Sequence, residues 1–212
     1  MSAPIWPLSA SPWRGSRPLL LASTSATRRA LLASAGLAVE TESPGVDERA
    51  VEADCAGLAP EALARRLAEA KAAAVAARRP ERVVVGADQV LECDGTLFHK
   101  PADSAAARAQ IAALAGRTHA LRSAVALAVD GAVVESFVET AHLTMRPLDA
   151  AAIAAYVNLA GPDRVCASVG GYQLEGLGIH LFAVIAGDHS TILGLPLLPL
   201  LARLRSRGWL GI

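Results

Sequence analysis

Apolar and polar positions alternate along the chain in segments that predict strands and helices in turn. The apolar run Leu19–Ala22 is typical of a short buried strand, and a helix is expected from about Ala26 until Gly36. A second helix is expected over Pro60–Arg78, because proline suits a first turn and apolar residues recur there at helical spacing. The polar, turn-rich segment between these helices, residues 39–59, is expected to be a loop.

The second half of the chain adds hairpins to this alternation. A β-branched run leads to Gly86 and Asp88, and a further strand then closes at an Asp94-Gly95 turn. Strands that pair in hairpins, mixed with strands followed by helices, indicate an α/β protein with a mixed sheet. The remaining predicted elements are a helix over Ser104–Ala115, two long strands joined at Asp130-Gly131, a helix over Asp149–Leu159, a strand over Ile179–Ile185 and a last helix over Leu195–Arg207.

Composition restricts the function more than the fold. Just over half of the 212 residues are apolar (53%), which is enough for one good-sized core. The formal net charge is zero, and this argues against broad, non-specific binding of nucleic acid, which needs a basic face. We therefore expect one domain over residues 18–212. Residues 1–17, rich in proline and serine, are expected to form a loosely ordered extension attached through Trp6 or Trp13.

Cysteine usage and hydropathy indicate a cytoplasmic protein. The three cysteines are scattered and show no zinc or disulfide spacing, which suits a reducing compartment. No apolar stretch approaches the ~20 residues of a membrane span, and the first residues make a poor signal peptide. We expect neither a membrane nor a nucleic acid as partner.

Five charged residues at the ends of predicted elements or on apolar faces are candidates for chemistry. Three are cations and two are carboxylates. Asp88 follows a buried strand, where open α/β folds bind ligands, and the carboxylate pair suits Mg²⁺ or Mn²⁺ bound together with substrate oxygens. Cations near a helix N-terminus suit a polyphosphate, so the set predicts metal-assisted hydrolysis at phosphorus. The five are Arg28, Glu48, Lys71, Asp88 and Lys100.

Each of these residues also has a purely structural interpretation. Buried ion pairs and surface helices would explain most of them, and Lys71 would be a snorkelling lysine with its stem on the core. Other catalytic motifs are absent from the sequence, including a P-loop, a complete GxGxxG, a GxSxG elbow and HExxH. The histidines show no ligand spacing, and His119 and His189 are as well explained by structural roles as by catalytic ones.

Six segments in a fixed order carry a resemblance to a known family. They are "LASTSATRRALL", "VDE", "RLAEAKA", "GADQV", "HKP" and "GLPL", and the resemblance covers the chain from about Leu19 to Leu204. This pattern resembles the Maf family of nucleoside triphosphate pyrophosphatases. The resemblance implies an elongated mixed β-sheet flanked by helices, with a cleft between two lobes (Maf / ITPase-like). It also implies a divalent metal, a homodimer, and cleavage between the α- and β-phosphates that removes modified nucleotides.

The resemblance assigns roles to residues of this chain. Ser23, Ser25 and Arg28 match the turn that grips the triphosphate. Asp88 matches the general base and, with Glu48, the carboxylates at the metal. A catalytic role for Lys71 is favoured over snorkelling, and Lys100 matches the lysine of the family's Lys-Pro turn. The chain departs from the pattern where Ala26 replaces the usual proline, which loosens the turn but keeps the hydroxyls and the arginine.

Three further residues bear on the choice of base. Gln89 and Glu175 stand where the branch acting on dTTP and UTP has threonine and glutamine, and this resembles the branch acting on 7-methyl-GTP. Thr27 replaces the aromatic residue common in that branch, and it cannot stack on a methylated ring. We therefore expect a guanine-type substrate with weaker dependence on the methyl group. The alternatives are a dTTP/UTP pyrophosphatase, or a non-catalytic, nucleotide-responsive regulator of cell division.

Overall fold

The computed structural model describes residues 11–212, which form seven strands and eight α-helices. None of these helices is long and apolar enough to cross a membrane. The strands are β1 (Leu19–Ala22), β2 (Val39–Thr41), β3 (Val84–Cys93), β4 (Thr96–Phe98), β5 (Thr118–Val129), β6 (Ala132–Met145) and β7 (Phe182–Ala186). The helices are α1 (Ala26–Ser34), α2 (Glu48–Asp54), α3 (Pro60–Arg78), α4 (Ser104–Leu114), α5 (Ala150–Ala160), α6 (Pro162–Val165), α7 (His189–Ile192) and α8 (Leu197–Ser206).

The seven strands form one mixed sheet in the order β2-β1-β3-β5-β6-β7, with β4 paired to β3. β1 pairs in parallel with both β2 and β3, whereas the β3–β4 and β6–β7 pairs are antiparallel. Parallel pairs, which need a crossover connection, thus occur beside antiparallel pairs in the same sheet. The mixed α/β sheet predicted from the sequence is confirmed.

The described chain divides into two compact units, each with its own core. The first comprises residues 11–88, 123–138 and 194–212, and the second comprises residues 89–122 and 139–193. Side chains that are fully buried in the first core include Leu19, Leu21, Leu32, Val85 and Leu195. Those in the second core include Leu91, Ile111, Leu114 and Leu143.

A glycine lets α3 pack directly on β3 in the first unit. A Cβ atom at Gly86 would lie 2.3 Å from the carbonyl oxygen of Ala68 and 2.6 Å from the backbone nitrogen of Ala72. No real side chain tolerates such distances, so only glycine allows the helix backbone to come this close to the strand. This contact sets the distance between the residues that follow Gly86 and the buried face of α3.

His119 is part of the second core. Its Nε2 atom lies 2.7 Å from the hydroxyl oxygen of Tyr172, and the ring packs against Tyr172 and Phe182. The side chain is almost completely buried, and burial lowers its pKa to about 4. These contacts are typical of a histidine with a structural role, which is one of the two roles considered for His119 in the sequence analysis.

Residues 39–59 are more regular than the sequence pattern indicated. β2 pairs with β1, and α2 occupies much of the remainder of the segment. The Oδ1 atom of Asp47 caps α2 by accepting the backbone N–H of Ala50 at 3.1 Å. The loop prediction was therefore wrong, because a three-residue strand and a helix without buried residues leave little hydrophobic periodicity.

Two strand predictions also need correction. β3 is continuous through Gly86, so Asp88 lies within a buried strand rather than just past its end. The strand expected over Ile179–Ile185 begins only at Phe182, because a short 3-10 helix occupies Leu177–Leu181. The first turn of that helix closes with a bond of the 3-10 type, in which the N–H of Ile179 donates to the carbonyl of Gly176 at 3.3 Å.

The segment before β1 contacts the C-terminus. Trp13 forms an isolated bridge with Leu210, and its indole N–H donates to the carbonyl of Arg17 at 2.7 Å. The backbone N–H of Gly211 donates to the carbonyl of Pro12 at 2.9 Å. Trp6 lies outside the described residues.

Candidate active site

The turn between β1 and α1 presents two serine hydroxyls. The hydroxyl oxygen of Ser25, the N-cap residue of α1, accepts the backbone N–H of Arg28 at 3.3 Å. The hydroxyl oxygen of Ser23, which is buried, accepts the backbone N–H of Ser25 at 3.1 Å. Each hydroxyl also carries a proton that it can donate to an anion at the positive end of the helix. This local geometry suits a phosphate.

Two backbone carbonyls hold the guanidinium of Arg28. Its Nη1 atom donates to the carbonyl of Ala87 at 2.8 Å, and its Nε atom donates to the carbonyl of Gly194 at 2.9 Å. Burial lowers the pKa of Arg28, while the nearby Asp88 and Glu48 act to raise it. Arginine keeps its charge even when buried, so Arg28 is a fixed cation beside the serine turn.

Lys71 bridges two carboxylates. Its Nζ atom lies 2.6 Å from Oδ1 of Asp88 and 2.7 Å from Oε1 of Glu48. The side chains of Lys71 and Asp88 are 8% and 9% exposed, whereas that of Glu48 is 54% exposed. The ammonium therefore sits between carboxylates and not in water, which rules out the snorkelling interpretation of Lys71.

Strand and helix periodicity explain why these groups meet. Lys71 lies on the buried face of α3, four residues after Leu67 and four before Val75. Gly86 and Asp88 are two residues apart in β3 and therefore face the same side of the sheet. Gly86 brings the helix close, and Asp88 then lies within hydrogen-bond distance of Lys71.

The segment leading to Glu48 is held by the end of α3. Arg78 donates from Nε to Oε1 of Glu42 at 2.9 Å and from Nη2 to the carbonyl of Ser43 at 2.8 Å. Arg79 donates to the other oxygen of Glu42, and the hydrogen bonds from both arginines lower the pKa of that carboxyl. Our sequence analysis missed this anchor, although adjacent arginines at a helix C-terminus were a visible signal.

The two carboxylates at Lys71 fit a hard divalent cation. Mg²⁺ and Mn²⁺ bind oxygen ligands, and Mg²⁺ typically uses one or two carboxylates together with substrate phosphates and water. Within residues 11–212, no cluster of three or more histidine, cysteine or acidic side chains could hold a metal by itself. A metal bound by Glu48 and Asp88 would therefore need substrate oxygens and water to complete its coordination.

The second unit holds three of the predicted site residues. The side-chain amide of Gln89 donates to the carbonyls of Thr191 and Ile192, at 3.2 and 3.0 Å. Lys100 is exposed before the buried Pro101, and Glu175 is exposed in the glycine-rich segment just before the 3-10 helix at Leu177–Leu181.

Hydrogen bonds and ion pairs connect the other predicted residues within the first unit. Ser23, Ser25 and Arg28 are joined through the start of α1, and the Arg28 guanidinium bonds the carbonyl of the residue before Asp88. Thr27 lies half-buried in the first turn of the same helix. Asp88 and Glu48 are joined through Lys71.

Asp188 supports the residues that hold Gln89. Its Oδ1 atom accepts the backbone N–H groups of Ser190 and Thr191, at 2.9 and 3.2 Å, and caps the short helix α7. The Ser190 hydroxyl makes a further contact with this carboxylate. These hydrogen bonds lower the pKa of Asp188, with the Ser190 hydroxyl contributing most. Sequence reasoning missed α7, which is only four residues long.

Known proteins are similar to this chain over most of its length. The family described as Maf-like protein matches residues 18–207. A Nitrobacter hamburgensis protein named nucleoside triphosphate pyrophosphatase is 53% identical over 94% of this chain and 98% of its own length, and one from Nitrobacter winogradskyi with the same name is 56% identical over 93% and 97%. A Brucella abortus protein named 7-methyl-GTP pyrophosphatase is 52% identical over 88% and 94%. This chain therefore belongs to the Maf family.

Proposed function

We propose that this protein is a hydrolase that converts nucleoside triphosphates to nucleoside monophosphates and pyrophosphate. The observation that carries the proposal is the position of the Lys71 ammonium between the carboxylates of Asp88 and Glu48. The residue before Asp88 is Ala87, whose carbonyl accepts a hydrogen bond from Arg28. This arrangement combines cations for phosphate with carboxylates for a metal and a proton. The names of relatives at 53% and 56% identity support the same reaction.

Each residue has a distinct role in the proposed reaction. Ser23, Ser25 and Arg28 bind the phosphate chain with hydroxyl and guanidinium donors. Lys71 engages Oδ1 of Asp88, so we assign the other oxygen of that carboxylate to accept the proton of the attacking water. Lys100 is proposed to neutralise further phosphate charge.

We propose that the reaction depends on Mg²⁺ or Mn²⁺ bound by Glu48 and Asp88. The ion would supply Lewis-acid stabilisation of the charge that develops on the phosphate oxygens. In the structure, the ammonium of Lys71 lies between the two carboxylates. Its positive charge offsets part of the repulsion between Glu48 and Asp88 before a metal binds. Removing metal with a chelator should abolish pyrophosphate release, and adding back Mg²⁺ or Mn²⁺ should restore it.

The general-base role is tested with Asp88→Asn, which keeps the shape of the side chain but cannot take a proton in the same way. Loss of a general base typically lowers turnover ~10²–10⁴-fold, and this loss should occur in a folded protein. Asp130→Asn makes the same chemical change at an exposed hairpin turn and should leave turnover unchanged. A folded Asp88→Asn protein with wild-type turnover would remove Asp88 from the mechanism.

The alternative from another class is the nucleotide-responsive regulator. It predicts nucleotide binding without pyrophosphate release under any metal condition. A buried lysine paired with a candidate base and a second carboxylate favours the enzyme, since a sensor has no need of a proton acceptor. Measuring pyrophosphate from the purified full chain, with Mg²⁺ or Mn²⁺ and a panel of triphosphates, distinguishes the two.

We also propose a guanine-type substrate, with 7-methyl-GTP and GTP preferred over dTTP and UTP. The Nε2 atom of Gln89 donates to the backbone carbonyls of Thr191 and Ile192, which fixes the position of this side-chain amide beside α7. Glu175, a carboxylate, offers only acceptors. Guanine supplies adjacent N–H donors at N1 and the exocyclic amine, whereas thymine and uracil supply one N–H flanked by carbonyls. The Brucella relative named 7-methyl-GTP pyrophosphatase is consistent with this preference.

The substrate proposal is tested by comparing kcat/KM for 7-methyl-GTP, GTP, dTTP and UTP under one metal condition. A site whose polar groups are left unpaired can reject a wrong substrate by ~10⁴-fold. Because Thr27 cannot stack on a methylated ring, we expect a smaller difference between 7-methyl-GTP and GTP than between guanine and pyrimidine substrates. If dTTP or UTP were clearly the best substrate, Gln89 and Glu175 would not be guanine readers and the alternative specificity would hold.

Assembly and location stay predictions from the sequence. They comprise a homodimer, a cytoplasmic location, and the lack of a nucleic-acid or membrane partner. Size-exclusion chromatography with light scattering tests the dimer directly. A mass close to the 21.8 kDa of one chain would contradict it.

A further inference from the structure

The Gly-Leu-Pro-Leu segment at residues 194–197 contributes to the family resemblance, and its only contact described so far is the hydrogen bond between Gly194 and Arg28. Gly194 adopts a φ of +86°, a backbone conformation that side-chain-bearing residues rarely take. In this conformation its carbonyl accepts the Nε–H of Arg28 at 2.9 Å. Leu195, the next residue, is completely buried and anchors the segment in the first core.

The space at Gly194 is filled by the arginine side chain itself. A Cβ atom at this position would lie 3.2 Å from Nη2 and 3.3 Å from Nε of Arg28. On another edge of the guanidinium, Nη1 is held by the carbonyl of Ala87 at 2.8 Å. The guanidinium therefore cannot yield to an added methyl group without lengthening or breaking at least one of its two backbone hydrogen bonds.

We propose that Gly194 is a positioning residue for Arg28 and that this is the function of the glycine in the Gly-Leu-Pro-Leu segment. The inference rests on the proposed function, in which Arg28 binds substrate phosphate. A guanidinium has five N–H groups in a rigid plane, so two fixed carbonyls determine where the remaining donors point. Gly194 contributes one of these carbonyls and leaves the space that the arginine occupies.

Gly194→Ala tests the role, with Gly208→Ala as its matched control. Gly208 has a φ of +76°, belongs to the same compact unit, and would place a Cβ in open space. Both variants impose a backbone conformation that alanine disfavours, but only Gly194→Ala contacts Arg28. We expect Gly194→Ala to lower kcat/KM about 10- to 100-fold, as for a lost hydrogen bond to a charged group, and Gly208→Ala to change it less than twofold.

A double-mutant cycle shows whether the effect passes through Arg28. Arg28→Ala should lower kcat/KM by itself, and adding Gly194→Ala to that variant should cause no further loss beyond about twofold. Equal losses from Gly194→Ala with and without the arginine would overturn the proposal. So would a loss no larger than that in Gly208→Ala. Both of these results are compatible with an active wild type and an impaired Arg28→Ala variant. In that case the proposal for Gly194 would be overturned, and the proposed function would stand.

Chemical rescue provides a test that does not require Gly194→Ala to fold. In Arg28→Ala, millimolar guanidinium should regain part of the lost kcat/KM by occupying the position between the carbonyls of Ala87 and Gly194. Ammonium at the same concentration should regain much less, because it lacks the planar set of donors. Lack of selective rescue would overturn the proposal, whereas lack of pyrophosphate release by the wild type would overturn the proposed function itself.

Discussion

Replacing Lys71 with methionine tests the buried ion pair at the centre of the proposed site. The change removes the ammonium and keeps a long, flexible stem of similar volume. It leaves Asp88, whose side chain is 9% exposed, without its partner at 2.6 Å. It also frees Glu48, but that carboxylate is 54% exposed and regains water. The cost of Lys71→Met should therefore come almost entirely from Asp88.

Removing one partner of a buried ion pair typically destabilises a protein by about 3–5 kcal/mol, because a charge stays buried without compensation. For a chain of 150–250 residues, 1 kcal/mol corresponds to a shift in Tm of about 2–4 °C. We therefore expect Lys71→Met to lower Tm by about 6–20 °C. Glu48→Gln, which removes the half-exposed contact, should cost at most about 1 kcal/mol.

Thermal and urea unfolding of the four proteins in a Lys71→Met and Asp88→Asn cycle provide the measurement. The double variant should be less destabilised than the sum of the single variants, by at least about 1 kcal/mol, because it has neither buried charge. Turnover should fall in Lys71→Met by more than the loss of folded protein at the assay temperature. A Lys71→Met protein that melts like the wild type, or strictly additive single variants, would refute the argument.

Two further predictions concern the cores of the two units. Gly86→Ala should lower the free energy of unfolding measured in urea by about 1–3 kcal/mol or more, because the added Cβ would meet the backbone of Ala68 and Ala72. An unchanged free energy of unfolding would contradict the close packing of α3 on β3. Because burial lowers the pKa of His119 to about 4 from an unfolded value near 6.5, stability should be complete above about pH 6.5 and decrease by about 3 kcal/mol towards pH 4. His119→Phe should lose that part of the pH dependence, and an unchanged pH profile would assign it to other groups.

Local sequence signals were sufficient for most elements of the fold. Ser25 and Gly36 bracket α1 as its N-cap and its glycine at φ +76°, and the Asp130-Gly131 turn joins β5 and β6 as expected. Elements were missed where stability comes from distant partners. β2 is a three-residue strand stabilised by pairing with β1, and α2 buries none of its side chains. Such elements have weak local periodicity, so only tertiary pairing defines them.

The candidate residues could be identified from the sequence, but which of them contact one another could be predicted only in part. Arg28, Glu48, Lys71 and Asp88 stood out as charges at element ends or on apolar faces. Nothing local showed that one ammonium contacts both carboxylates, or that Arg78 and Glu42 hold the segment before Glu48. These contacts join residues 17 to 36 positions apart in the chain, and sequence spacing within one element cannot predict them.

The sequence by itself determined the residue types available for chemistry and the two helices, α1 and α3, that carry Arg28 and Lys71. It did so because caps, glycine turns and hydrophobic periodicity act over only a few neighbouring residues. Only the tertiary structure decided that Asp88 lies inside a continuous strand, that Lys71 is buried against it, and that Gly194 borders the Arg28 guanidinium. Those distances depend on how closely the backbones of packed elements approach, and that approach is set by side chains far apart in the sequence.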